Sequence, residues 1–213
     1  MNLPPFPPSL RVGLCHDWLT GMRGGERVLE LLCQSFPDAP LYTLLQNPAA
    51  VSAAINAHPI RTTPLQRIPG IATRYRGFLP LMPWMVNHWK PPADLDLLIS
   101  TSHCVAKSIR VAPGTRHLSY CFTPMRYAWL FHEEYFPHPL KRAALSPLLA
   151  GLRRWDRRTA ARVDHFIAIS RHVQDRIRRF YDRDADVVYP PADTAFFQPA
   201  ADRAADYDFL INA

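Results

Sequence analysis

The sequence predicts an α/β fold in which a parallel β-sheet is covered by helices on both faces. Three observations carry this. Short apolar runs of strand length recur along the chain, stretches with helical spacing separate them, and glycine or proline marks many of the junctions. Strands buried on both faces read as continuous apolar runs, and alternation with helices makes their sheet parallel.

Taken in order, a proline-rich tail over 1–9 leads into a first strand at 12–15. A polar turn holding Gly21, Gly24 and Gly25 follows, then a helix over 25–36 with apolar residues at Val28, Leu29, Leu32 and Phe36. A second strand is expected at 41–45. Residues 71–89 have a helical pattern that Pro80 and Pro83 must break. After a strand at 97–100, Ser100, Thr101 or Ser102 is expected to cap a helix with His103 in its first turn and Lys107 at the surface. A strand at 117–121 ends at Thr123-Pro124, since proline cannot continue the ladder. A helix over 140–162 carries Leu145, Leu148, Leu149, Leu152 and Trp155 on one stripe; a strand at 165–169, a helix at 171–181 and a strand at 186–189 complete the pattern. The domain therefore spans 10–189. Residues 190–206 read as a linker, and 207–213 as the first strand of a further domain whose remainder is missing.

Composition narrows the function. With 48% hydrophobic residues in 213, the chain can build a core, and a net charge of +7 favours an anionic partner. Nucleic acid is set aside, because no RNA-binding aromatic signature or helix-turn-helix pattern occurs. Cys15, Cys33, Cys104 and Cys121 lie far apart with no C-x-x-C pair, which predicts buried reduced thiols and no metal site. The N-terminus lacks a signal-peptide pattern, and no uncharged apolar window reaches the roughly 18 residues of a membrane span. A cytoplasmic location is expected.

The turn after the first strand lies where parallel sheets bind ligands. Glycines there let backbone approach a bulky anion, and the first helix amides point at it. An ordinary turn with glycines at positive φ satisfies the same pattern. Gly21-x-x-Gly24-Gly25 is not G-x-G-x-x-G, the second strand ends in Gln46-Asn47 without a carboxylate for ribose, and no G-K-[ST] occurs. NAD and nucleoside-triphosphate loops are thereby excluded. His103 can donate to a substrate hydroxyl or phosphate, or pack locally. Arg126, Tyr127 and Trp129 gather a phosphate-recognising fork and two aromatic faces, or else pin a helix start by packing.

Charge is concentrated over 138–183, with twelve basic residues against four acidic. Arg153, Arg154, Arg157 and Arg158 oppose the apolar stripe of their helix. Such a face lies on an anionic membrane or is simply solvated. In 71–90, Trp84 and Trp89 stand in an apolar run flanked by Arg74, Arg76 and Lys90, which suits a lipid–water interface, a groove for a lipid-linked substrate, or core packing.

The segments GLCHDWLTGMRGGERVLE, ISTSHCVAKS, YCFTPMRYAW, FIAISRHVQDRI and VVYPPADTAFF, in this order from Leu10 to Asn212, together resemble the N-terminal half of family 4 glycosyltransferases. The nearest subgroup is bacterial enzymes of surface-polysaccharide and lipopolysaccharide assembly, often mannosyltransferases. The resemblance implies a GT-B architecture: two Rossmann-like domains facing a cleft, the first holding the acceptor and the second most of a nucleotide-diphosphate sugar. It implies transfer with retention, to a lipid-linked or saccharide acceptor, with no tightly bound cofactor or metal; the basic run and the tryptophan segment add an anionic inner-leaflet surface as an expected partner. By position, Gly24, Gly25 and Glu26 would meet the donor diphosphate or sugar. His16, His103, Arg126 and Tyr127 would line the acceptor side, and Ser170 and Arg171 would approach from a later strand end. No catalytic residue is assigned. Phe122 departs from the family, which commonly has histidine there. The donor domain is also absent, as in a fragment, a truncated gene product or one half of a split enzyme, so the chain alone is expected to be inactive; the alternative expectation is a non-catalytic acceptor-binding or partner-docking module, or an inactive truncation product.

Overall fold

The computed structural model describes residues 9–130 and 139–192 with Pro7 and Thr194; for 139–144 only the backbone is described. The expected strand at 207–213 and most of the linker lie outside these residues. Among the described residues seven parallel strands form one sheet: β1 (Val12–His16), β2 (Leu41–Thr43), β3 (Ile60–Arg61), β4 (Leu97–Ser102), β5 (Arg116–Cys121), β6 (His165–Ala168) and β7 (Asp186–Val187), in the order β3-β2-β1-β4-β5-β6-β7. Leu14 of β1 stands beside Leu41 on one side and Ile99 on the other. Strand order reverses between β1 and β4, and the crevice beyond their carboxyl ends is where such sheets bind ligands.

Alternation along β1 feeds two cores. Val12 and Leu14 pack with Leu29 and Cys33 of α1 (Gly24–Ser35), whereas Cys15 joins Trp18, Tyr75, Met82 and Met125 on the opposite face. A third cluster joins Phe166 to Val173, Ile177 and Tyr181 of α7 (Arg171–Tyr181). Shorter helices α2 (Ala53–Asn56) and α5 (Arg126–Trp129) and the long α6 (Pro139–Ala160) complete the layers. All four cysteines are free and buried.

Residues 71–89 form short turns in place of one helix: α3 (Ile71–Arg74), a 3-10 run (Tyr75–Leu81), α4 (Met82–Met85) and a final 3-10 turn (Val86–His88). Tyr75, Leu79, Met82, Met85, Val86 and Trp89 face the core. Trp89 is therefore no membrane anchor; its indole donates to the Thr43 carbonyl at 3.1 Å.

Two other expectations fail here. Ser100, Thr101 and Ser102 do not cap a helix, because β4 continues through Ser102 and their hydroxyls face neighbouring strands and loops. Lys107 is not at the surface. Its ammonium lies 2.6 Å from Asp156 Oδ1 in a fully buried pair, also donating to the Asp156 carbonyl and lying over the Tyr181 ring.

Candidate active site at the carboxyl ends of the strands

A cleft of about 780 Å³ opens above β1, β4 and β5. Its walls bring together His16, Gly24, Gly25, Glu26, His103, Arg126 and Tyr127, seven positions drawn from four separate segments of sequence. Arg23, Arg76 and Arg176 join Arg126 in the lining, so among the described residues it holds four guanidiniums and one acid, Glu26. Such a lining attracts a polyanion.

Asp17, which no sequence pattern singled out, organises the floor. Its carboxylate is fully buried and accepts four backbone amides: His103 at 2.6 Å and Cys104 at 2.9 Å on one oxygen, Val105 at 2.6 Å and Ala106 at 2.7 Å on the other. It therefore does the capping that the β4 hydroxyls were expected to do. Burial pushes its pKa up, but the His103 ring and amide and the nearby His16 outweigh that, and the carboxyl sits well below its ordinary range. The same carboxylate lies 3.1 Å from His103 Nδ1, and His103 stands edge-on to Trp18 at 4.6 Å. His103 is thus fixed by both its backbone and its ring at the edge of the cleft.

His16 is held differently. Its Nδ1 lies 2.7 Å from Thr101 Oγ1, whose own proton goes to the Cys15 carbonyl at 3.3 Å. The hydroxyl therefore accepts from Nδ1–H, and Nε2 keeps a lone pair. Nε2 is buried with no hydrogen-bond partner among the described residues. Burial above all pushes this imidazole down to about 4, so the ring is neutral at pH 7. A neutral imidazole beside a cationic cleft presents an acceptor to a hydroxyl.

The glycine turn works through space. Neither Gly24 nor Gly25 has positive φ. A Cβ on Gly25 would lie 3.1 Å from the Phe122 ring and 3.6 Å from His16, whereas one on Gly24 would meet nothing. Gly25 lets the α1 terminus approach Phe122 and His16, and Gly24 leaves its face of the cleft open. Glu26, although in the lining, accepts the Arg23 amide at 3.2 Å and lies 3.7 Å from its guanidinium, closing the first turn of α1. It serves the helix rather than an anion.

The turn carrying Arg126 and Tyr127 is braced from behind. Tyr181 and Trp129 each donate to Asp156 Oδ2 at 2.8 Å, and the Met125 amide donates to the Tyr181 hydroxyl at 3.3 Å. The buried Lys107–Asp156 pair thereby anchors the residue before Arg126. Trp129 stacks on Phe180 at 4.7 Å and does not line the cleft. Arg126 keeps a buried Nε with no hydrogen-bond partner among the described residues.

Ser170 and Arg171 stand apart from the lining, which takes Ile169 and Arg176 from that region. Ser170 caps α7, accepting the Val173 amide at 3.3 Å, and Arg171 is exposed. On α6, Arg153 donates to the Ala128 carbonyl at 2.6 Å, Arg157 lies 3.8 Å from Asp182, and Arg154 is exposed. Among the described residues, no helix is long and apolar enough to cross a membrane, and no cluster of three metal-ligating side chains occurs.

No curated protein matches the chain significantly. The family model for glycosyltransferase family 4 matches residues 22–196, from the turn before α1 past the end of β7. That span is most of the chain, and it carries the glycine turn and the braced Arg126 turn: the protein belongs to glycosyltransferase family 4.

Proposed function

We propose that the chain is the acceptor-side half of a retaining sugar transferase that moves a sugar, mannose in the first instance, from a nucleotide-diphosphate donor to a lipid-linked or saccharide acceptor. The observation that carries this is the juxtaposition of four arginines with a neutral, unpartnered His16 in one cleft. In transfer, the bond from the anomeric carbon to the diphosphate breaks, its electron pair leaves on phosphate oxygen, a bond forms to the acceptor oxygen, and the acceptor's hydroxyl proton passes to the departing phosphate oxygen. Arg126 and the α1 amides meet the charge that grows on the phosphate. His16 Nε2 accepts a sugar hydroxyl, and Tyr127 offers an aromatic face to the ring. A second domain, in cis or in trans, closes over the donor and excludes water.

The test supplies labelled nucleotide-sugars and a bacterial lipid extract to the chain, with and without a donor domain from a family member. Transfer into the lipid phase is expected only with both halves, and Arg126→Ala should lower it on the order of 100-fold. Transfer undiminished by Arg126→Ala would overturn the reading of the cleft, and full turnover by the chain alone would overturn the need for a second domain.

A further inference from the structure

We propose that the chain docks on anionic lipid bilayers through the outward flank of residues 71–90, with Leu81 and Trp84 as the inserted tip. Docking is independent of sugar transfer; only delivery of a lipid-linked acceptor from that bilayer into the cleft rests on the transferase reading.

Three observations converge on this flank. First, the sequence contains no Asp or Glu between Asp38 and Asp94, whereas Arg61, Arg67, Arg74, Arg76 and Lys90 all stand there and are all exposed. So long a stretch of one sign carries no acid of its own, and Arg61, Arg67, Arg74 and Lys90 form no ion pair among the described residues. Secondly, the short turns from Ile71 to His88 bury one seam (Ile71, Tyr75, Leu79, Met82, Val86) and turn the opposite seam outward: Arg74, Gly77, Leu81, Trp84, His88. Leu81 is 49% and Trp84 56% exposed, against the usual burial of such side chains, and Trp84 stands edge-on to His88 at 4.2 Å. An exposed indole on a segment that carries exposed Arg74 and Lys90 suits the headgroup level of a bilayer, where amphipathic rings concentrate. Thirdly, the same run of turns reaches the cleft, since Tyr75 and Arg76 line it. The apolar tip and the candidate active site are therefore two ends of one structural unit.

Charge decides among occupants. A second copy of the chain would set this acid-free patch against its own positive charge. Two exposed apolar side chains also fall far short of the roughly 800 Å² per partner that a stable protein interface buries. An anionic bilayer needs no such area, because each cation near it adds its own attraction. The other basic face, on α6, is a weaker candidate: Arg153 is spent on the Ala128 carbonyl and Arg157 is paired with Asp182.

Co-sedimentation of the chain with vesicles of phosphatidylcholine, and of phosphatidylcholine mixed with phosphatidylglycerol, tests this without donor or acceptor, so its outcome is separate from that of any transfer assay. Binding is expected to the mixed vesicles only. It should collapse as salt is raised towards 1 M, where the screening length shrinks from about 10 Å to about 3 Å. Neutralising Arg67, Arg74 and Lys90 together should weaken partitioning on the order of 100-fold, about five-fold per charge. Trp84→Ala should remove quenching of tryptophan emission by brominated lipid, and Arg154→Gln with Arg157→Gln should change nothing. All these side chains are exposed, so circular dichroism should be unaltered. Equal recovery with neutral and anionic vesicles overturns the proposal. So does binding that depends on Arg154 and Arg157 rather than on Arg74 and Lys90. A dimer abolished by Trp84→Ala, without vesicle binding, would assign the tip to a second copy instead.

Discussion

Replacing Asp17 by asparagine isolates the interaction on which the cleft floor depends. The native carboxylate gives two amides to each oxygen and places one oxygen 3.1 Å from His103 Nδ1. Asparagine keeps the shape but turns an NH₂ towards two of the four amides, whichever way it flips. Each buried donor left without an acceptor costs about 1–3 kcal/mol, and the surviving bonds lose their charge assistance. The expected loss is about 3–5 kcal/mol, a large share of the stability of an ordinary domain. Urea denaturation at pH 7 measures it, and an unchanged slope would show that the compactness of the two states is preserved. Asp17 has a depressed folded pKa, so its contribution is complete above the unfolded value near 3.9 and is given back as the pH falls below it. The gap between the two proteins should narrow there. A loss under about 1 kcal/mol at pH 7 with an unchanged slope would falsify the account of Asp17 as the cap of 103–106.

Three further outcomes are expected. His16 and His117 are both driven down to about 4 by burial, so the unfolded state binds two more protons than the folded one between that value and 6.5; stability should fall on acidification with a slope approaching about 2.7 kcal/mol per pH unit, and a slope below one proton would sink the assignment. Gly24→Ala meets no atom and improves helix propensity, so it should raise stability by up to about 1 kcal/mol while weakening binding of a nucleoside diphosphate measured by calorimetry; unchanged binding would show that the open face of Gly24 is not used. Lys107→Met leaves the buried Asp156 carboxylate without its ion partner and should cost about 3–5 kcal/mol in chemical denaturation, part of which the added change Asp156→Asn restores; a neutral single variant would contradict the buried pair.

What the sequence discloses follows from the range of the interactions involved. Buried parallel strands announce themselves locally, so β1, β4, β5 and β6 stand close to where the apolar runs place them. The edge strand β3 is two residues long and half-exposed, and it leaves no apolar run to find. Residues 41–45 read as one strand, but only Leu41–Thr43 pairs, because Leu44 and Leu45 are buried by the loops above the sheet. The hydroxyls of β4 look like a cap because a cap is a local pattern; the real cap, Asp17, is 86 residues from His103. Lys107 and Asp156 are similarly invisible, since each is an ordinary charged residue until the fold brings 49 residues of separation to 2.6 Å. His16, Gly24, Gly25, His103 and Arg126 were legible for the opposite reason: each stands where a strand ends or a helix opens, and a parallel sheet collects such junctions at one edge, whereas Arg76 and Arg176 come from within helical turns and gave no such signal.

Charge shows the same division between count and field. The segment 138–183 holds twelve basic residues against four acidic, more net positive charge than the whole chain, yet the fold spends much of it internally. Arg153, Arg162 and Arg183 donate to backbone carbonyls, Arg176 to Thr123, and Arg157 and Arg178 pair with Asp182 and Asp184. These guanidiniums tie helix to strand and helix to loop, a use for which the planar fork is suited. The stretch between Asp38 and Asp94 contributes fewer cations but none of the acids that would cancel them, and Arg61, Arg67, Arg74 and Lys90 form no ion pair among the described residues. The potential that a ligand or a membrane meets is therefore set where carboxylates are missing rather than where arginines are most numerous. In this chain that places it along the flank of Trp84, where Arg61, Arg67, Arg74 and Lys90 stand.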